Sequence, residues 1–380
     1  MVSRALKRRG ALIGVMLCIA AGAAQPASAS TAADTSGRPT AFRPSPVHET
    51  EQAVARSLAS SLRNPQWRAQ VRSAALGARD VDLQNLAAGA DGPAAGHLHT
   101  SVTAANRRIV GLKGLPASTG SLLRLRLGAP AMRRHLSAGV TPWVAVAAAD
   151  DHARALTAYD SRGRAHAVAT SRVPERPLYI LDVDVSKAHR AGLAVLDKAF
   201  ADKGLDAPGA ASANTAAAGW WATKVTAVEV KDDEEPWFKG AAEMFSLVTG
   251  FGTDGKARVD SVDMPYLDYD NTVYSPNQIL VNWSNYKYNL ADVVMMEDDD
   301  GTNYKALAQA LTTALLTVTD QGAYIPLVNA VLSAMPDSWF TDDPDYVESW
   351  YTLSKNSTGR LNGASGNGWM TVEPYFVEQF

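Results

Sequence analysis

The chain has 380 residues, of which 46% are hydrophobic and 20% charged, and its formal net charge is −3. This length is enough for two domains of ordinary size. The single cysteine, Cys18, lies in an N-terminal segment that we expect to be removed, so the composition excludes disulfides, thiolate metal sites and cysteine nucleophiles in the mature chain.

Charge divides the chain into two unlike halves. Residues 30–218 contain 23 Lys and Arg against 15 Asp and Glu, a net charge of +8, whereas residues 219–380 contain 9 against 24, a net charge of −15. Complementary charge favours docking of the halves on each other. Because phosphate repels an acidic surface, nucleic acid is not expected as a partner. All seven histidines lie in the basic half.

Residues 1–29 have the pattern of a cleavable secretory signal peptide. Four basic residues precede an apolar run from Ala11 to Ala24, and the small residues Ala27-Ser28-Ala29 follow it. The apolar run is too short to be a membrane anchor, because a spanning helix needs about 20 residues. We therefore expect cleavage after Ala29, secretion of the mature protein and no transmembrane anchor.

The basic half is predicted to be an α+β domain over residues 49–204, preceded by a disordered mature N-terminus over residues 30–48. Apolar spacing predicts two helices between Glu49 and Leu76, broken at Pro65. The segment from Gly89 to Gly96 is interpreted as a link, and His97-Leu98-His99 as a strand that presents both imidazoles on one face. Further strands are predicted around residues 122–127, 143–147 and 178–185, and a short helix at 191–200.

The acidic half is predicted to be an antiparallel β-sandwich over residues 219–380, joined by a linker at residues 205–218. A helical hairpin at residues 304–336 interrupts it, because leucines recur there at helical spacing. The fold class is therefore α+β. The strands of the sandwich are predicted at residues 220–230, 244–248, 278–283, 290–296, 346–353 and 369–377.

Carboxylates are concentrated at the predicted strand ends of the acidic half. Such clusters repel unless a cation or a basic partner offsets them, and oxygen ligands without a nearby thiol or imidazole suit Ca²⁺. The sequence therefore predicts calcium binding on these loops, with solvated loops as the alternative. The candidate ligands are Asp232, Asp233, Glu234, Glu243, Glu297, Asp298 and Asp300.

The sequence is also compatible with two other functions. A secreted hydrolase would place its site between the halves and pair a histidine such as His97 or His152 with acids of the second half. A carbohydrate-binding protein would use an aromatic surface in the segment between residues 266 and 288. Its candidate stacking residues are Tyr266, Tyr269, Tyr274, Trp283, Tyr286 and Tyr288.

Part of the acidic half resembles a known family of β-sandwich domains. The order of acidic loop, Pro236-Trp237, Lys239-Gly240, Glu243 and apolar strand is similar to calcium-dependent lipid-binding sandwich domains. That resemblance implies that Asp232, Glu234, Glu243, Glu297, Asp298 and Asp300 belong to metal-binding loops.

The whole mature chain resembles a bacterial secreted family of unknown function, number 3103. The likeness is carried above all by Asn303-Tyr304 and by the segment from Asp343 to Glu348. This resemblance fits an exported two-part protein, and it supplies no information on activity. The combined expectation is a secreted, non-enzymatic, calcium-binding module that contacts an unknown ligand at the cell envelope or outside the cell, where a membrane surface or a carbohydrate is the candidate contact.

Overall fold

The computed structural model describes residues 45–90, 92–148, 153–206, 219–231, 238–239, 243–298, 301–335 and 346–378. The predicted signal peptide, residues 30–44 and nearly all of the predicted linker lie outside these ranges, as do the candidate ligands Asp232, Asp233, Glu234 and Asp300. Within the described ranges, no helix combines the length and the apolar character that crossing a membrane requires.

The chain begins with the two predicted helices, α1 (Pro46–Ser61) and α2 (Pro65–Gly77). Each starts with proline in the first turn, where no backbone N–H is needed. The side chains of Ser45 and Asn64 cap the helices by accepting backbone N–H groups three residues later. The predicted break between the helices is therefore confirmed and has a local cause.

The predicted strand at His97-Leu98-His99 is wrong, because these residues lie in helix α4 (Pro93–Leu112), which follows the short helix α3 (Leu83–Ala88). Residues two positions apart on a helix point in different directions, so the two imidazoles do not share a face. Leu98 is buried and His97 is exposed. The glycine-rich link is shorter than predicted, since Pro93 begins the helix.

Helices α1 to α4 cover one face of a six-stranded sheet, and the short helix α5 (Arg133–Ser137) lies between two of its strands in sequence. The strand order is β1-β2-β6-β3-β4-β5, with β3 and β6 parallel and the other neighbours antiparallel. The strands are β1 (Asp80–Asp82), β2 (Leu123–Leu127), β3 (Trp143–Val146), β4 (Ala155–Tyr159), β5 (Ala165–Ala169) and β6 (Leu178–Val183).

The acidic half contains two four-stranded antiparallel sheets. The outer sheet has the order β10-β7-β14-β13, and the central sheet has the order β12-β11-β8-β9. Val225 and Val372 of the outer sheet share a buried core with Val293 and Trp350 of the central sheet, so the predicted sandwich is confirmed. The strands are β7 (Gly219–Val230), β8 (Met244–Phe251), β9 (Ala257–Asp263), β10 (Gln278–Asn282), β11 (Leu290–Glu297), β12 (Tyr346–Ser354), β13 (Gly359–Asn362) and β14 (Gly368–Glu378).

Helices cover the other face of the central sheet. Two come from the predicted hairpin, α7 (Tyr304–Thr317) and α8 (Val328–Leu332), and the third is α6 (Val185–Lys203) of the basic half. Leu193, Leu196 and Phe200 of α6 pack in one core with Leu311 and Leu315 of α7. Each fully buried leucine or phenylalanine contributes about 2 kcal/mol of hydrophobic free energy. Helix α6 is therefore held against the acidic half by its own apolar face.

A fully buried carboxylate, that of Glu348 on β12, holds the loop between β13 and β14. It accepts the backbone N–H groups of Ser349, Ser365 and Asn367 at 2.8 Å and that of Gly368 at 3.0 Å. A Cβ at Gly363 would lie 2.0 Å from the Glu348 carboxyl carbon, so this approach requires glycine. The segment Gly363-Ala364-Ser365-Gly366-Asn367 is thus a loop around a buried carboxyl group.

Candidate functional site

Two of the predicted calcium ligands meet at one end of the central sheet. Glu243 directly precedes β8, and Asp298 directly follows β11. The two strands are antiparallel, with Met244 opposite Glu297, so the start of one lies beside the end of the other. The backbone N–H of Asp298 donates to the carbonyl oxygen of Glu243 at 3.1 Å.

The side chains of Glu297 and its neighbour Asp298 face opposite sides of the central sheet. Side chains alternate along a strand, and on β11 Met295 faces the sandwich core while Met296 faces the helix-covered core. By that alternation Glu297 faces the sandwich side and Asp298 faces the helices. Of the seven predicted ligands, the structure therefore brings Glu243 and Asp298 together and separates Glu297 from them.

The sequence pattern did not indicate Asp263, which joins the same end of the sheet. It is the last residue of β9 and pairs with Phe245, two residues after Glu243. Apolar and polar side chains alternate only weakly along β9, so the sequence pattern did not predict this strand. The start of β8 and the ends of β9 and β11 thus place three carboxylates at one edge, which we call the acidic edge: Glu243, Asp263 and Asp298.

Helix α6 supplies the group that faces the acidic edge. Its N-cap is Asp184, whose side chain accepts the backbone N–H of Lys187 at 3.0 Å. Ser186, His189 and Gly192 recur every third residue and therefore lie along one stripe of the helix. This stripe points the hydroxyl and the imidazole of the basic half at the carboxylates of the acidic half.

His189 is the centre of the cluster and is only 1% exposed. Its Nδ1 lies 3.6 Å from Oδ2 of Asp298, and its Nε2 lies 3.4 Å from Oδ1 of Asp263. These separations are those of ion pairs and are too long for good hydrogen bonds. Both ring nitrogens, Oδ1 of Asp298 and Oδ1 of Asp263 are buried without a hydrogen-bond partner.

Two hydroxyls complete the cluster. Tyr304, the first residue of α7, donates its hydroxyl to Oδ2 of Asp298, and Ser186 donates to Oε1 of Glu243. The tyrosine ring lies directly on the backbone of Gly192, where an added Cβ would be 2.0 Å from Cε1. The Tyr304 backbone N–H also donates to the carbonyl of Lys113 at 3.0 Å. Tyr304 is therefore fixed from two sides.

The pKa values of two groups in the cluster, His189 and Glu243, are both raised. Burial alone would lower the pKa of His189, but Asp298, Asp263 and Glu243 outweigh it and raise the pKa above the ordinary value of 6.5. The pKa of Glu243 is also raised, mainly by burial and further by Asp298 and Asp263, although Ser186 and His189 act against this. The cluster therefore holds protons more tightly than its separate groups would.

In the described part of the chain, no three His, Asp or Glu side chains are already arranged as the ligands of one metal ion. The histidine named for a hydrolase, His97, lies on the exposed face of α4, and His152 is outside the described residues. The histidine that does meet the acids is His189. No local pattern indicated this contact, because a single histidine inside an amphipathic helix is common.

The tyrosine-rich segment proposed for sugar stacking is mostly part of the core. Trp283 and Tyr286 are 4% and 3% exposed, and Tyr266, Tyr274 and Tyr288 are half-buried. Tyr269, at 64% exposure, is the member of the set that is open to solvent. The segment therefore does not form a continuous aromatic surface.

The close approach of Tyr304 to α6 gives a first prediction. Gly192→Ala forces the ring away and is expected to destabilise the protein by about 1–3 kcal/mol in urea unfolding. The control is Gly111→Ala in α4, where the added Cβ has no atom within 4 Å apart from the backbone of its own helix and the adjacent residues. It is expected to be neutral or to stabilise by up to about 1 kcal/mol. Equal effects of the two substitutions would contradict the packing of Tyr304 on α6.

The raised pKa values predict how stability depends on pH in metal-free buffer. Folding favours the protonated forms of His189 and Glu243, so their contribution is full below the unfolded pKa of each group and is lost as the pH rises through the folded pKa. The free energy of unfolding is expected to fall as the pH is raised from about 6 to about 9. His189→Gln should flatten this slope and His97→Gln should preserve it. An unchanged slope in His189→Gln would refute the assignment.

The comparisons with known proteins give a family and nothing more specific. No curated protein and no solved structure matches the chain. A family model described as a protein of unknown function (DUF3103) matches residues 51–380, which include most of the basic half, the whole acidic half and every residue of the cluster. The chain therefore belongs to the DUF3103 family.

Proposed function

We propose that the protein is a divalent-cation-binding module that acts outside the cytoplasm, with its site at the acidic edge. One observation carries this proposal. Three carboxylates, Glu243, Asp263 and Asp298, surround a buried imidazole whose two nitrogens have no hydrogen-bond partner. Buried polar atoms are normally paired, so several unpaired ones in a single cluster favour a ligand.

Electrostatics explains why a cation suits this place. Carboxylates at one strand edge repel one another when they are ionised, and one imidazolium offsets only part of that charge. A divalent cation offsets more of it and uses carboxylate oxygens as ligands. Because the ion takes the place of bound protons, its binding should release protons and should weaken as the pH falls.

Calcium, the ion that the sequence predicts, is the first ion to test. Ca²⁺ accepts six to eight oxygen ligands in flexible geometry and so tolerates side chains that are not prearranged. Asp300 and the run from Asp232 to Glu234 are close to the cluster in sequence, two residues after Asp298 and nine or more before Glu243. The signal-like segment at residues 1–29 supports a place of action outside the cytoplasm.

The geometry gives less support to a hydrolase at the same cluster. His189 does meet acids of the second half, as that hypothesis requires. A catalytic imidazole must reach substrate, however, and His189 is 1% exposed, with Phe245 packed against its ring at a centroid distance of 5.3 Å. A buried imidazole among carboxylates is better suited to hold an ion or a proton.

Calorimetric titration with CaCl₂, together with thermal unfolding, tests the proposal. A ligand that binds only the folded state stabilises it by about 2.7 kcal/mol at 100 times its Kd, which is a rise of about 5 °C in Tm for a chain of this size. Glu243→Gln should reduce both the binding heat and the rise in Tm. Asp202→Asn, a solvent-exposed carboxylate near the other end of α6, should leave both unchanged.

Two results would contradict calcium binding at the acidic edge. If millimolar Ca²⁺ gives neither heat nor a change in Tm, the site does not bind calcium. If the response is the same in Glu243→Gln and in the wild type, calcium binds elsewhere on the protein.

A further inference from the structure

The imidazole at the acidic edge changes which cation the site should prefer. Calcium was predicted on the premise that no nitrogen ligand lies near the acids, and the structure places His189 among them. Ca²⁺ takes oxygen ligands, whereas Zn²⁺ and similar borderline metals bind imidazole as well as carboxylate. The buried imidazole nitrogens without a hydrogen bond therefore favour a metal that binds nitrogen as well as oxygen.

We infer that the site takes a borderline divalent metal of the Zn²⁺ class, with His189, Asp263 and Glu243 as its protein ligands. This inference rests on the proposed cation-binding function and specifies its ion. Nε2 of His189 and Oδ1 of Asp263 lie 3.4 Å apart. Two atoms that bind one tetrahedral Zn²⁺ at about 2.0–2.1 Å are themselves about 3.3 Å apart. The observed separation is that of an ion pair and equally that of two ligands of one ion.

The other ring nitrogen has the surroundings of a metal-bound histidine. A histidine that binds metal through one nitrogen usually directs the other at a carboxylate, which fixes the tautomer and the ring orientation. Nδ1 of His189 faces Asp298 at 3.6 Å, and Tyr304 fixes that carboxylate by donating its hydroxyl. Asp298 is thus assigned as a positioning residue behind the histidine.

Asp263 is the member of the proposed ligand set that is nearest to solvent. The side chains of His189 and Asp298 are 1% and 0% exposed, whereas that of Asp263 is 37% exposed. The two facing atoms, Nε2 of His189 and Oδ1 of Asp263, are themselves buried.

Glu243 explains why the ligands are not already arranged around one point. Its carboxylate is engaged by the Ser186 hydroxyl in this structure. Binding of the metal would require Glu243 to exchange that hydrogen bond for a bond to the ion. The change is local, because Glu243 is half-buried at the start of β8 and its backbone is held by the N–H of Asp298.

Parallel calorimetric titrations of the purified protein with ZnCl₂ and with CaCl₂ test the inference. The wild type should bind Zn²⁺ at least tenfold more tightly than Ca²⁺. His189→Gln should lose at least tenfold in Zn²⁺ affinity, and His97→Gln, which removes an exposed histidine on α4, should lose none. Asp298→Asn should weaken Zn²⁺ binding by about 10- to 100-fold, the usual effect of removing a carboxylate that orients a histidine ligand.

Each result decides a different claim. If Ca²⁺ binds at least as tightly as Zn²⁺, or if His189→Gln keeps full Zn²⁺ affinity, the inference fails and cation binding at the acidic edge stands. If neither ion binds, the proposed function fails as well. Should His189→Gln not fold, Asp263→Asn replaces it, because Asp263 is partly exposed at a strand end. Full Zn²⁺ affinity in Asp263→Asn would overturn the inference.

Discussion

The placement of His189 between Asp298 and Asp263 is the charged contact around which the candidate site is built. It joins helix α6 of the basic half to one end of the central sheet in the acidic half. The two oppositely charged halves of the chain are in contact there. Removing charged groups from water costs several kcal/mol per ion, and their attraction often fails to offset that cost. The apolar face of α6, with Leu193, Leu196 and Phe200, supplies the stability that holds the charged groups in place.

The central sheet contains two kinds of buried carboxylate, and the difference between them supports the functional interpretation. Glu348 accepts four backbone N–H groups, and Asp292 accepts those of Leu327 and Thr352 at 2.5 and 2.7 Å. These two acids anchor loops, and their hydrogen bonding explains their burial. Around His189, by contrast, both ring nitrogens and Oδ1 of Asp263 and of Asp298 are buried without a hydrogen-bond partner. Anchoring by hydrogen bonds therefore does not account for that cluster, and this difference is the ground for the cation site proposed there.

Local patterns in the sequence were enough to predict much of the fold. The leucines at 307, 311 and 315 predicted α7, and the β-branched and apolar runs predicted β7, β8, β11 and β14. Helix α4 was missed because its first turns contain proline, glycine and histidine, which weaken the helical signal. Strand β9 was missed because polar residues interrupt its apolar pattern.

The candidate site was only partly predictable for a different reason. Acidic residues at strand ends pointed to Glu243 and Asp298, because the ends of neighbouring antiparallel strands meet. Nothing local indicates that His189 meets Asp298, since the pair is separated by 109 positions in the chain and depends on how α6 packs. Asp263 depended in turn on an unrecognised strand. Long-range packing therefore determined the part of the site that the sequence did not reveal.

A double-mutant cycle between His189 and Asp298 tests the central claim most directly. The free energies of unfolding of the wild type, His189→Gln, Asp298→Asn and the double variant are measured at pH 6, where the imidazole is protonated. Residues that interact in the folded state show coupling of about 0.5–3 kcal/mol, and independent sites add within about 0.3–0.5 kcal/mol. We predict a favourable coupling of at least about 1 kcal/mol. Additive effects would show that the two side chains do not form the junction between the halves.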